Sequence, residues 1–105
     1  MATSKDYIEF VLEQVKDFGD VTARKMFGEY MVYFLSKPIL LVCDNTVFIK
    51  ILPDTSKIME NAERGFPYDG AKEHYILDIE NKELLEKIIP VLIEITSLPK
   101  RKRKA

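Results

Sequence analysis

One cysteine, Cys43, and one histidine, His74, are the only thiol and imidazole in this sequence of 105 residues. A nucleophilic thiol needs a neighbouring base or a positive helix end. Cys43 instead closes the apolar run Ile39-Leu40-Leu41-Val42 and reads as a packed structural cysteine. His74, between Glu73 and Tyr75, has no second ligand at metal-binding spacing and reads as a surface histidine at a strand start. The carboxylates of Asp54, Glu60, Glu63, Asp69 and Glu73 are spread along a turn-rich stretch, as a solvated rim rather than a paired acid–base site. A single cysteine excludes an intrachain disulfide and a multi-cysteine zinc site, and four scattered glycines do not make a phosphate-cradling loop. The expectation is a protein that is not an enzyme, with no catalytic residue, metal or cofactor.

Binding residues are better represented. Arg24-Lys25 could grip a phosphate or an acidic partner, or could be a solvated strand edge that discourages sheet-to-sheet pairing. Phe66-Pro67-Tyr68 places two aromatics around a rigid residue, either as a binding lip or folded back to close the core. The run Lys100-Arg101-Lys102-Arg103-Lys104 holds five of the 16 basic side chains. The remaining 11 face 17 acidic groups within residues 1–99, so a body of net charge −6 hides behind an overall charge of −1. Such a body repels a phosphate backbone. The basic run, with no aromatics interleaved for base stacking, offers only weak, salt-sensitive nucleic-acid binding.

The elements that must position these residues change period along the chain. Thr3-Ser4-Lys5-Asp6 supplies hydroxyl caps and an acid for a first helix, in which Ile8, Val11, Leu12 and Val15 recur at helical spacing, with Phe10 and Phe18 widening the stripe. Gly19 is placed to end it. From Val21 the period is two. The runs 22–27, 29–35, 39–43 and 46–52 form a β-meander, with short turns near Ser36 and at Asp44-Asn45. A short helix over 54–62 follows, then a loop over 63–72, a fifth strand over 75–79, and a last helix capped by Asn81. Pro90 predicts a kink or a break in that helix. The result is an α+β domain in α-β(4)-α-β-α order, two-layered around a mainly antiparallel sheet. It spans residues 1–99, with 100–105 as a flexible basic tail. No stretch approaches the ~20 apolar residues of a membrane span, and MATSKDYIEF lacks the order of a signal peptide, so a cytoplasmic location without membrane contact is expected.

The turn at Asp44-Asn45 puts Cys43 opposite Thr46 and Val42 opposite Val47. One face then carries Leu40, Val42, Val47, Ile49 and Ile51. A two-residue turn near Ser36 would add Met31, Tyr33 and Leu35 to it. The opposite face collects Tyr30, Val32, Phe34, Ile39, Leu41, Cys43, Phe48, Thr46 and Lys50. Only two of those nine are polar, which suits water poorly. Either a helix covers each face, or Tyr30, Val32, Phe34, Leu41 and Phe48 form a surface for a second copy of the chain or another protein.

Arg24-Lys25-Met26-Phe27-Gly28-Glu29-Tyr30-Met31-Val32-Tyr33 resembles the N-terminal domain of the TfoX family of competence regulators. Lys37-Pro38, Val42-Cys43-Asp44-Asn45, Val47-Phe48-Ile49-Lys50 and the later Gly65, Pro67 and Tyr68 resemble further parts of it, so the similarity covers about residues 4–97. The resemblance implies a secretion-chaperone-like α+β fold and a role beside transcription machinery in controlling DNA-transformation genes. In full-length members that role is exercised alongside the cAMP receptor protein and with a further helical domain, which this sequence does not contain. The family supplies no catalytic residues to carry over. Relatives often have glycine where Glu29 and Met31 stand, which implies a stiffer strand here.

Overall fold

The computed structural model describes residues 3–26 and 29–96. Phe27, Gly28 and the run Lys100 to Lys104, with the expectations placed on them, lie outside the described residues. Helix α1 spans Lys5–Val15 and is capped by the Ser4 hydroxyl, which accepts from the Tyr7 N–H at 3.1 Å. Ile8, Val11 and Val15 form its buried stripe, whereas Phe10 points outward. A 3-10 turn over Lys16–Phe18 leads to Gly19, whose φ of 136° favours glycine.

Strands β1 (Val21–Met26), β2 (Glu29–Phe34), β3 (Lys37–Cys43) and β4 (Thr46–Lys50) form the expected meander. Helix α2 (Pro53–Ser56) is shorter than the sequence suggested, and the Thr55 hydroxyl accepts from the Leu52 N–H at 2.9 Å to start it. Two residues of the expected loop, Arg64–Gly65, form an additional strand β5 beside β6 (His74–Ile76). The sheet therefore has six strands rather than five, in the order β1-β2-β3-β4-β6-β5 with every pairing antiparallel.

Helix α3 (Lys82–Ile95) begins at Asn81, whose side chain accepts from the Leu84 N–H at 3.1 Å. It runs unbroken through Pro90. Its buried positions, Leu85, Ile88, Ile89 and Leu92, hold it on the core. Near its end the Lys37 ammonium donates to the Ile93 carbonyl at 2.7 Å, a cation at the negative end of the helix dipole. Helices α1 and α3 share one hydrophobic core with Val32, Phe34, Leu40, Val42, Val47, Ile49 and Tyr75. Both long helices thus pack on the same face of the sheet, and the domain is α+β.

The register of β2 corrects the sequence reading. The turn is where it was expected, at Leu35-Ser36, and closes Phe34 against Lys37 and Tyr33 against Pro38. The next pair is Val32 with Leu40, so Ile39 is an extra residue on β3. Pro38 has no N–H to give to the ladder, and prolines inside sheets sit at such bulges. One inserted residue reverses the facing of the rest of β2 relative to β3. Val32 and Phe34, both 0% exposed, are core residues and not part of any partner surface. Tyr30 packs on the core's margin, and Ile39 also joins the core. Met31 and Tyr33 turn to the second face instead.

Candidate functional site

The second face is built from alternate positions of the central strands. Met31 lies across from Leu41, Leu41 across from Phe48, Phe48 across from Ile76, and Lys50 across from His74. No helix of the described residues covers them. Residues 65–73 do so in part. A Cβ added at Gly65 would stand 3.5 Å from the Phe48 ring and 3.2 Å from Ile76, so this strand lies directly against them. Phe48 is consequently buried and meets the His74 ring edge-on at 6.4 Å. Of the five residues expected to form a partner surface, Leu41 and Phe48 lie on this face, with Phe48 already covered within the chain.

The loop after β5 divides its three residues. Pro67 is buried, while Phe66 and Tyr68 remain 63% and 60% exposed. The two aromatics do not fold back into the core, and Tyr68 overhangs the second face as a lip. Met31, Leu41 and Tyr68 line two adjoining clefts. One, of about 540 Å³, lies where β2 begins and β3 ends, and is completed by Met26, Glu29, Tyr30 and Cys43. The other, of about 410 Å³, lies where β3 begins and β4 ends, beneath residues 68–72 and beside the end of α3. The face is therefore a groove with an apolar floor.

The two ends of the groove differ in charge. At the first end the Glu29 carboxylate is held by the chain itself. One of its oxygens accepts from the Thr3 hydroxyl at 2.6 Å, the Thr3 N–H at 3.1 Å and the Asp44 N–H at 3.0 Å. Burial, followed by the charges of Glu29 and Asp44, pushes the Cys43 thiol up to about 11, which makes it a poor nucleophile. At the second end Lys50, Lys72 and His74 share the lining and no carboxylate joins them. His74 is half-buried, with Nδ1 at 2.8 Å from the Lys72 carbonyl, rather than the surface residue expected.

The other candidates are dispersed. Arg24 and Lys25 are exposed on β1, an edge strand, and line neither cleft, although Arg24 is the cross-strand partner of Met31 and shares its face. Asp54, Glu60, Glu63, Asp69 and Glu73 are all exposed, and Glu73 reaches Arg64 only at 3.8 Å. Among the described residues, no group of three or more histidines, cysteines or carboxylates could hold a metal ion, and no helix is long and apolar enough to cross a membrane. Neither the Glu29 clamp nor the cationic end was foreseen. The β3–β4 turn gave the facing of Lys50, but nothing in the sequence announced that β6 would bring His74 beside it.

Residues 13–82 match the family described as the TfoX N-terminal domain. Along nearly its whole length the chain is also similar to an uncharacterised 12.7 kDa protein in the trpE 5′ region of Spirochaeta aurantia. The two are 31% identical over an alignment 105 positions long, which covers 98% of this chain and 91% of that protein.

Proposed function

The chain belongs to the TfoX N-terminal domain family, and from that premise we propose that it is a non-catalytic interaction module of the cytoplasm that takes part in transcriptional control of competence-type genes. The observation that carries this reading is the asymmetry of the sheet. Both long helices pack on one face, whereas the other is an apolar groove overhung by Tyr68. Contiguous apolar surface of this kind commonly receives a protein partner. The family is not a known enzyme family, and the one thiol lining the groove, Cys43, is held protonated by burial and by the neighbouring charges of Glu29 and Asp44. A secretion-chaperone-like grouping, which the family resemblance implies, would likewise have helices lining an antiparallel sheet.

The partner is another protein or a second copy of the chain, and the groove is tested by reversing its character at the lip. Tyr68→Glu changes a residue that is mostly exposed, so the fold should survive, as far-UV circular dichroism would show. In cells deleted for the chain, a reporter of competence-gene transcription should be restored by the wild type and not by the variant. Equal restoration by both would exclude the groove. Light scattering over a range of concentrations separates the two kinds of partner, since a dimer that dissociates in Tyr68→Glu identifies a second copy.

A further inference from the structure

We infer that the end of the groove lined by Lys50, Lys72 and His74 binds an acidic amphipathic peptide segment of a partner protein, an apolar side chain on the floor and carboxylates on the lysines. The inference rests on the reading of the second face as a partner surface and adds the chemistry of that partner. Its first support is an imbalance of charge. In a body where acids outnumber bases by 17 to 11, this cleft gathers two lysines and a histidine with no carboxylate in its lining. Neither lysine makes an ion pair among the described residues.

The second support is the placement of those groups. Lys50 and His74 are direct cross-strand partners, an arrangement that is unfavourable whenever both are charged. The floor beside them is Met31, Leu41 and Phe48, an apolar seat for one large side chain. Thr96, just past the end of α3, lines the same cleft.

The apolar floor and negative body select against a uniform polyanion such as a nucleic acid and favour a ligand that alternates carboxylates with apolar groups. Helix α1 has that chemistry, with Phe10 exposed among Asp6, Glu9 and Glu13. It packs on the opposite face of the sheet, however. A second copy docked through it would join head to tail, a contact that does not close into a simple dimer. A different protein is therefore the occupant.

The test is fluorescence anisotropy with the full chain and three labelled twelve-residue peptides. The first alternates glutamate with leucine and phenylalanine, the second replaces each glutamate with glutamine, and the third replaces each apolar residue with serine. The acidic amphipathic peptide should bind best and lose affinity as salt rises. Lys50→Glu with Lys72→Glu should weaken it by about tenfold or more, with the fold intact because both side chains are exposed. Equal binding of the glutamine peptide, sensitive to Tyr68→Glu but not to the lysine changes, would overturn the inference while leaving the groove as a partner surface. Binding of no peptide would likewise overturn it, as would displacement of the acidic peptide by a single-stranded oligonucleotide at lower concentration. Self-association that depends on Phe10 would replace the foreign partner with a second copy.

Discussion

The Glu29 carboxylate accepts a hydrogen bond from the Thr3 hydroxyl at 2.6 Å, joining the residue before the α1 cap to the first residue of β2. The same oxygen accepts from the Asp44 N–H in the β3–β4 turn, and the Asn45 side chain accepts from the Ser4 N–H at 3.0 Å. Three segments distant in sequence are thereby fastened at one corner of the sheet. Glu29→Ala leaves three donors without their acceptor and should cost about 2–3 kcal/mol, because hydrogen bonds to a charged group outweigh neutral ones. Glu29→Gln keeps an acceptor oxygen and should lose only about half as much. Urea denaturation of both variants checks this, and equal stability of Glu29→Ala and wild type would refute the clamp.

At the opposite corner the chain adopts a turn that its residues suit poorly. Leu35 and Ser36 have φ values of 52° and 68°, the left-handed pair required by a tight two-residue hairpin. Side chains other than glycine, asparagine and aspartate pay about 1 kcal/mol or more for that region. Leu35 is largely exposed, so its replacement loses little burial. Leu35→Asn with Ser36→Gly should raise stability by about 1 kcal/mol. An unchanged or lowered midpoint in thermal unfolding would show that Leu35 contributes packing that offsets its backbone strain.

These two corners show what was legible in the sequence. Both hairpin turns, the cap residues Ser4 and Asn81, and the buried stripes of α1 and α3 follow from local chemistry, and the structure has them where the sequence places them. The pairing of Val42 with Val47 followed from the Asp44-Asn45 turn. The facing of Val32 and Phe34 did not follow, because a bulge at Ile39 depends on how Pro38 is accommodated by its neighbours and leaves no mark in the apolar pattern. Met31, Val32, Tyr33 and Phe34 are all apolar or aromatic, so no polar residue betrays which side meets water. The groove's cationic end depends on the pairing of β4 with β6, a contact across 24 residues that composition cannot announce.

The bulge sets opposite expectations for neighbouring positions on β2. Phe34 is wholly buried in the core, and Phe34→Ala should destabilise the domain by about 3–5 kcal/mol through lost contacts and a residual cavity. Met31 stands on the second face and is only half-buried, so Met31→Ala should cost about 1 kcal/mol or less. Chemical denaturation of the pair measures both under the same conditions. The reverse ranking would mean that β3 is paired without the extra residue.

Cys43 offers a test of the groove's inner wall that does not depend on any partner. Its folded value of about 11 stands above the ordinary 9.0, with burial as the first cause and the charges of Glu29 and Asp44 next. Below pH 9 the folded and unfolded chains both carry the neutral thiol, so this residue leaves stability unchanged with pH. Between 9 and 11 the unfolded chain releases the proton and the folded chain retains it. Stability attributable to Cys43 therefore falls as pH rises, with a slope approaching about 1.4 kcal/mol per pH unit. Cys43→Ala removes that contribution, so the difference in stability between the two chains should narrow or reverse across this window, which cancels the titration of tyrosines and lysines common to both. At pH 8 the shift leaves about a hundredfold less thiolate than an ordinary cysteine would carry, and alkylation by iodoacetamide should be slower by at least that factor in the folded protein. Alkylation at the rate of a small free thiol would place Cys43 at the surface, and the wall of the larger cleft would have to be rebuilt around it.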